Sequence, residues 1–165
     1  MPFEFDPVKS ARTKADPNRG IDFDEAQVLW LDAKENKYVE EVGTSNIFFY
    51  LGDELITPPL GGTILPGVTR DSVIQLAKDW KIKVAERPIT IDEVVEACET
   101  GTAREIFATG TAAVISPVGE ISYDGKNRRV AGAQIGELSR KLYEEITGIQ
   151  YGLKEDPYGW CVRIA

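Results

Sequence analysis

The 165-residue sequence contains no histidine. That excludes Ser-His-Asp and Cys-His nucleophilic catalysis, a histidine general base and the commonest zinc sites. Cysteine is scarce. Cys98 and Cys161 lie far apart and form neither a Cys-x-x-Cys pair nor a metal-ligand spacing, which points to a reduced, cytoplasmic protein with no metal site. Cys161 also misses the C-terminal prenylation frame. No apolar run approaches the ~18–20 residues that span a membrane. The opening Met1-Pro2-Phe3-Glu4-Phe5-Asp6-Pro7 has neither the basic start nor the apolar run of a signal peptide. Basic residues are outnumbered by acidic ones, 19 to 27, for a net charge of −8. Lys and Arg contacts to phosphates dominate nucleic-acid affinity, so an acidic chain argues against DNA or RNA as ligand. The loose cluster Lys78, Lys81, Lys83 reads as a solvated helix end. No P-loop, His-Glu-x-x-His, Gly-x-Gly-x-x-Gly or EF-hand pattern occurs.

What is present is ordinary globular composition, 42% hydrophobic and 28% charged, at the length of one domain. Residues 1–25 differ from the rest: Phe3-Glu4-Phe5 alternates like a short strand, and Asp6-Pro7 and Asp22 are helix-start signals. From residue 28 the pattern turns to strands, over Val28–Asp32, Tyr38–Glu41, Asn46–Leu51 and Glu54–Thr57. Val73, Ile74, Ala77 and Trp80 repeat at helical spacing and predict a helix over 70–80 with that face in the core. A strand follows over Lys83–Pro88. Thr90-Ile91-Asp92-Glu93 has the form of a capping box and opens a helix that ends before Gly101. Glu105–Phe107 and Ala112–Ser122 read as strands around a Thr109-Gly110-Thr111 turn, and Asp124-Gly125 as a further turn. Ile135, Leu138, Leu142 and Ile146 line one face of a last helix over 134–147. Frequent hairpins among irregularly alternating strands and helices predict a mixed α/β (α+β) domain with a curved sheet.

Three loops carry possible chemistry. In Thr63-Ile64-Leu65-Pro66-Gly67-Val68-Thr69-Arg70, a helix start supplies free N–H groups, Gly67 permits close approach and Thr69 adds a hydroxyl. That suits a phosphate, or Thr69 simply caps its own helix. The Thr109-Gly110-Thr111-Ala112-Ala113 loop exposes successive N–H groups and hydroxyls that suit an anion, or it is a tight turn only. Glu40 and Glu41 suit acid–base work if one of them faces a pocket, and are otherwise a solvated hairpin end.

Read in order, Val28-Leu29-Trp30-Leu31-Asp32, Glu41-Val42-Gly43-Thr44-x-Asn46-Ile47-Phe48, Thr57-Pro58-Pro59-Leu60, Ile64-Leu65-Pro66-Gly67-Val68-Thr69-Arg70, Thr109-Gly110-Thr111-Ala112 and Ile149-Gln150-Tyr151-Gly152 resemble the C-terminal half of branched-chain amino-acid aminotransferases. These are class IV enzymes of pyridoxal-phosphate fold type IV, and the resemblance runs from about residue 26 to the end. It implies a curved, barrel-like mixed sheet with outer helices, pyridoxal 5′-phosphate as cofactor, and as substrates a branched-chain amino acid (Leu, Ile or Val) and 2-oxoglutarate. By the same resemblance Glu41 pairs with the cofactor's ring nitrogen, Leu65 packs on the ring, and Val68, Thr69 and Thr111 bind the phosphate. The N–H groups of Thr111 and Ala112 take the substrate carboxylate.

The sequence also departs from that family. The Lys-x-Gly-Gly-Asn-Tyr context that carries the Schiff-base lysine ahead of the Leu-Trp-Leu-Asp strand is not matched, and Lys14, followed by Ala15-Asp16-Pro17-Asn18-Arg19, does not replace it. No catalytic residue is therefore assigned, and the chain is expected to be incomplete and not catalytic alone. Phe3-Glu4-Phe5-Asp6-Pro7-x-Lys9-Ser10 and Gly20-Ile21-Asp22-Phe23-x-Glu25-Ala26 resemble the start of BrnT-type ribonuclease toxins, which divides the chain into a 1–27 segment and a 28–165 aminotransferase-type domain. The aminotransferase resemblance implies that this half packs on an N-terminal domain and a second subunit, so apolar surface near Ile47, Phe48 and Phe49 is expected to be exposed and to drive self-association as a homodimer. The alternative is a designed or chimeric scaffold with no ligand and no activity.

Overall fold

A computed structural model describes residues 27–162 and 164. The expectations for residues 1–26 lie outside the described residues. The described part of the chain opens with the hairpin β1 (Leu29–Leu31) and β2 (Val39–Val42). It continues with β3 (Asn46–Leu51), β4 (Glu54–Thr57), α1 (Val68–Asp79), β5 (Lys83–Glu86), α2 (Ile91–Thr100), β6 (Ala103–Gly110) and β7 (Val114–Pro117). The hairpin β8 (Glu120–Tyr123) and β9 (Lys126–Arg129), a 3-10 turn at Ala131–Ala133, and α3 (Glu137–Gln150) complete it.

Asn46–Leu51 is apolar on both parities because β3 is the middle strand of a five-stranded sheet, in the order β5-β4-β3-β6-β7. Only β4 and β5 run parallel; the other pairings are antiparallel. Ile47 and Phe49 point to a face packed with Ile91, Val94 and Ala97 of α2 and Val39 and Val42 of β2. Phe48 points to the opposite face, against Val73, Leu76 and Ala77 of α1 and Leu138, Leu142 and Ile146 of α3. There Phe48 stacks on Phe107, with ring centroids 5.3 Å apart and planes 12° from parallel. The mixed α/β architecture with outer helices is as expected; the described strands close no barrel, and the sheet lies open between helices on its two faces. The expected apolar surface near Ile47, Phe48 and Phe49 is overturned. Burial on both faces leaves these side chains at 1%, 0% and 0% exposure.

Helix bounds follow their caps. Thr90 caps α2 by accepting the Glu93 N–H at 3.0 Å. Gly101 closes the helix in the left-handed conformation at φ 76°. The reciprocal half of the capping box does not form, because the Glu93 carboxylate is drawn to Arg87, whose Nη2 donates at 2.6 Å. Helix α3 starts at Glu137 rather than 134, since its cap comes from another strand. The Glu105 carboxylate on β6 accepts the N–H groups of Leu138 and Ser139, each at 2.8 Å, and the Ser139 hydroxyl at 2.7 Å. Gly136 has to lack a Cβ there, because that atom would occupy the space of the Glu105 carboxylate. Strand β6 runs through Thr109 and Gly110, which pair with Ile115 and Val114 of β7, so the turn is Thr111-Ala112-Ala113 instead of 109–111. The expected Ala112–Ser122 strand divides into β7 and β8.

Asp32 shapes the β1–β2 turn. Its carboxylate accepts the N–H groups of Tyr38 at 2.7 Å, Lys37 at 2.8 Å and Glu35 at 2.6 Å. These donors favour the charged form and lower its pKa to about 2, from an ordinary 3.8. A depressed carboxylate stabilises the fold above the unfolded-state pKa and loses that contribution as pH falls through about 2. A carboxyl-detected NMR titration is expected to find Asp32 still ionised at pH 3, and a midpoint near 4 would contradict the turn geometry.

Candidate active site

The site is organised by the turn between β2 and β3. Val42 and Ser45 exchange N–H···O bonds at 3.0 and 2.9 Å across Gly43-Thr44, with Gly43 at φ 56°. A two-residue turn places the next pair outward, Glu41 and Asn46, opposite each other. The Trp30 indole N–H braces the turn from β1 by donating to the Gly43 carbonyl at 2.9 Å.

The loop between β4 and α1 folds over this pair. Ile64 is buried and anchors it. The Leu65 N–H donates to Glu41 Oε1 at 3.3 Å, and the Leu65 carbonyl accepts from Asn46 Nδ2 at 2.9 Å. The same Nδ2 donates to Glu41 Oε1 at 3.1 Å. With its backbone tied down on both sides, Leu65 projects its side chain outward, 69% exposed. Glu41, Leu60, Gly62, Thr63, Ile64, Leu65 and Pro66 line a small cavity of ≈ 430 Å³ that is broadly open to solvent. Of the two adjacent carboxylates, Glu41 faces this cavity, while Glu40 accepts the Thr63 hydroxyl at 2.7 Å.

The start of α1 follows directly. Its N-cap is Gly67, and among the described residues no side chain caps it, so Thr69 does not cap its own helix. The leading N–H groups of an α-helix have no partner within it, and they sit at the positive end of its dipole. Val68, the first helical residue, is 84% exposed, and Thr69 is half-buried. Asn46 dictates the glycine, since a Cβ on Gly67 would collide with Asn46 Oδ1. Sequence reasoning missed Arg70, buried in the first turn of α1. Its Nη2 donates to the Pro58 carbonyl and to Glu86, both at 2.9 Å, and fastens the helix start to the loop before it and to β5. Its neighbour Thr69 drew attention as a loop hydroxyl, whereas an arginine on a helix reads as solvated until tertiary packing is known.

Thr111 and Ala112 reach the same end of the sheet by strand pairing. Asn46 pairs with Thr109, and a Cβ on Gly110 would lie 2.8 Å from Ser45 Oγ, so the β6–β7 turn extends beyond the start of β3. Thr111, Ala112 and Ala113 are all exposed there. The cavity itself is lined by Glu41 and Leu65 but not by Val68, Thr69, Thr111 or Ala112, which lie at the helix start and the neighbouring turn.

The combination of a carboxylate in a small cavity, an outward leucine, an uncapped helix start and a hydroxyl-bearing turn coincides with a family match. Residues 12–121 fit the family model described as amino-transferase class IV. The chain belongs to the class IV aminotransferase family. This class IV chain is 51% identical over 140 residues to branched-chain-amino-acid aminotransferase 2 of Bacillus subtilis, an alignment covering 85% of the chain and 39% of that protein. It is 55% identical over 138 residues to branched-chain-amino-acid transaminase 1 of the same organism, covering 84% of the chain and 39% of that protein. It therefore spans about 39% of the length of these curated relatives. Its structure is similar to that of the Escherichia coli branched-chain amino acid aminotransferase, with a TM-score of 0.66 at 34% identity over 81% of this chain and 41% of the other. It is also similar to an aminotransferase from Brucella abortus bound to the cofactor PLP, with a TM-score of 0.58 at 32% identity over 73% of this chain and 39% of the other. The chain is a partial class IV domain resembling the branched-chain enzymes. The resemblance to ribonuclease toxins concerns residues 1–27, all but the last of which lie outside the described residues.

Proposed function

We propose that this chain forms the cofactor-holding part of a branched-chain amino-acid aminotransferase and binds pyridoxal 5′-phosphate across the Glu41–Leu65 cavity and the following start of α1. The observation that carries the reading is Glu41, whose carboxylate faces a small cavity and is fixed by the backbone of the leucine beside it. The donor set fits the cofactor: a carboxylate for a cationic ring N–H, an apolar side chain for the ring face, and an uncapped helix start with threonine hydroxyls for a phosphate dianion. When bound, pyridoxal phosphate supplies an electron sink for charge at the substrate Cα. Glu41 accepts the ring N–H and keeps the nitrogen protonated. Leu65 covers one ring face and excludes water from it. The N–H groups of Val68 and Thr69, with the hydroxyls of Thr69 and Thr111, hold the phosphate. The Thr111 and Ala112 N–H groups orient the substrate carboxylate. The substrates are a branched-chain amino acid and 2-oxoglutarate. No lysine of this chain is assigned a covalent role, and the purified chain is expected to form no glutamate from leucine and 2-oxoglutarate.

Thr69→Ala combined with Thr111→Ala is expected to weaken pyridoxal phosphate binding roughly tenfold or more, since one charge-assisted hydrogen bond contributes ~1.5–3 kcal/mol. Absorbance titration reads the change. Identical curves for wild type and double variant would show that the loops are scaffold only, as in a chimeric chain without ligand.

A cytoplasmic location goes with this reading, supported by the free thiols of Cys98 and Cys161. Among the described residues no helix is long and apolar enough to cross a membrane. We further propose that residues 1–27 are a segment of their own, into which the family match reaches as far as residue 12, and that 28–165 is the aminotransferase-type domain. The chain is read as a homodimer. With Ile47–Phe49 buried, exposed apolar side chains away from the cofactor seat, Trp30 and Leu153 among them, support association. Sedimentation at high concentration is expected to show a dimer, and a monomer throughout would contradict it.

A further inference from the structure

The sequence patterns drew attention to Glu41, but the hydrogen bonds converge on Asn46. Its side chain is 5% exposed and does not line the cavity. Nδ2 donates to Glu41 Oε1 at 3.1 Å and to the Leu65 carbonyl at 2.9 Å. The Leu65 N–H donates to that same Oε1 at 3.3 Å. Among the described residues both donors to Glu41 therefore use Oε1, and Oε2 carries none. An amide is suited to this position. A carboxylate of the same shape has no N–H to give and repels Glu41, while an apolar residue leaves Oε1 and the Leu65 carbonyl without this donor. Gly67 completes the arrangement, because a side chain there would displace Asn46 Oδ1.

We infer that Asn46 is the positioning residue of this site: it anchors Glu41 through Oε1 and so presents Oε2 to a protonated ring nitrogen. This rests on the reading of the ligand as pyridoxal phosphate. Asn46 touches no ligand atom in this account. It acts through Glu41, and its bond to the Leu65 carbonyl fixes the amide's own position.

The test compares pyridoxal phosphate with its analogue in which the ring nitrogen is replaced by carbon. For Asn46→Ala and the isosteric Asn46→Asp, affinity for pyridoxal phosphate is expected to fall about tenfold, with affinity for the analogue unchanged within about twofold. The ring-nitrogen NMR signal of 15N-labelled pyridoxal phosphate is expected to move away from the protonated form in both variants. Equal losses for the two ligands, or no loss, would overturn the inference. A ligand-free arm separates it from the functional reading: urea unfolding of wild type, Asn46→Ala, Glu41→Ala and the double variant. Non-additive unfolding constants, coupled roughly fivefold or more, support the anchor, and additive ones overturn it. A wild type that binds neither ligand would retire the cofactor assignment, while the unfolding cycle still decides whether Asn46 holds Glu41.

Discussion

Replacing Glu105 with alanine is expected to cost ~3 kcal/mol of folding stability, the scale for losing charge-assisted hydrogen bonds and leaving desolvated donors behind. Glu105 is 9% exposed and its carboxylate takes three donors, the Leu138 and Ser139 N–H groups and the Ser139 hydroxyl. It also places a negative charge at the positive end of α3. For a chain of this size ~3 kcal/mol corresponds to a fall in Tm of roughly 6–12 °C. Glu105→Gln keeps one acceptor and is expected to fall between. Thermal unfolding by circular dichroism reads both. A loss of less than about 1 kcal/mol for Glu105→Ala would mean that water caps the helix as well as the carboxylate does.

The second large effect belongs to Glu41. Glu41→Ala is expected to weaken pyridoxal phosphate binding by roughly ten- to hundredfold, because the charged partner of the ring nitrogen is lost. Affinity for inorganic phosphate is expected to stay within about twofold, because the phosphate seat lies at the start of α1 and the cavity carboxylate is not part of it. Parallel fluorescence titrations with the two ligands separate the outcomes. A matching loss for inorganic phosphate would show that Glu41 acts only by holding the loop through the Leu65 N–H, which donates to it at 3.3 Å.

Local signals in the sequence were legible where the partner of each group is close along the chain. Asn46–Leu51 and Glu54–Thr57 have the expected bounds, as does the helix between Thr90 and Gly101. In that helix the cap hydroxyl and the left-handed glycine are both written into the segment itself. Helix α3 was displaced because its cap is Glu105, which is far away in sequence and looks like a strand charge. The Thr109-Gly110-Thr111 turn moved along the chain because pairing to β7 holds Thr109 and Gly110 in the strand. The burial of Ile47, Phe48 and Phe49 follows from the central place of β3, which an apolar run alone does not distinguish from an interface. Glu41 stood out as a charge beside a turn, whereas Asn46, Gly67 and Arg70 acquire their roles only when the β4–α1 loop folds over the hairpin. The family resemblance supplied the grouping of the loops, and the structure shows the hydrogen bonds that hold Glu41 beside Leu65.

The central claim is that one end of this domain is a seat for pyridoxal phosphate. It is tested most directly by titrating the 15N-labelled chain with pyridoxal phosphate and following backbone amide signals. The account predicts saturable shifts at Leu65, Val68, Thr69, Thr111 and Ala112, with the amides of α2 unmoved. Shifts scattered over surface lysines, or none at the start of α1, would contradict it.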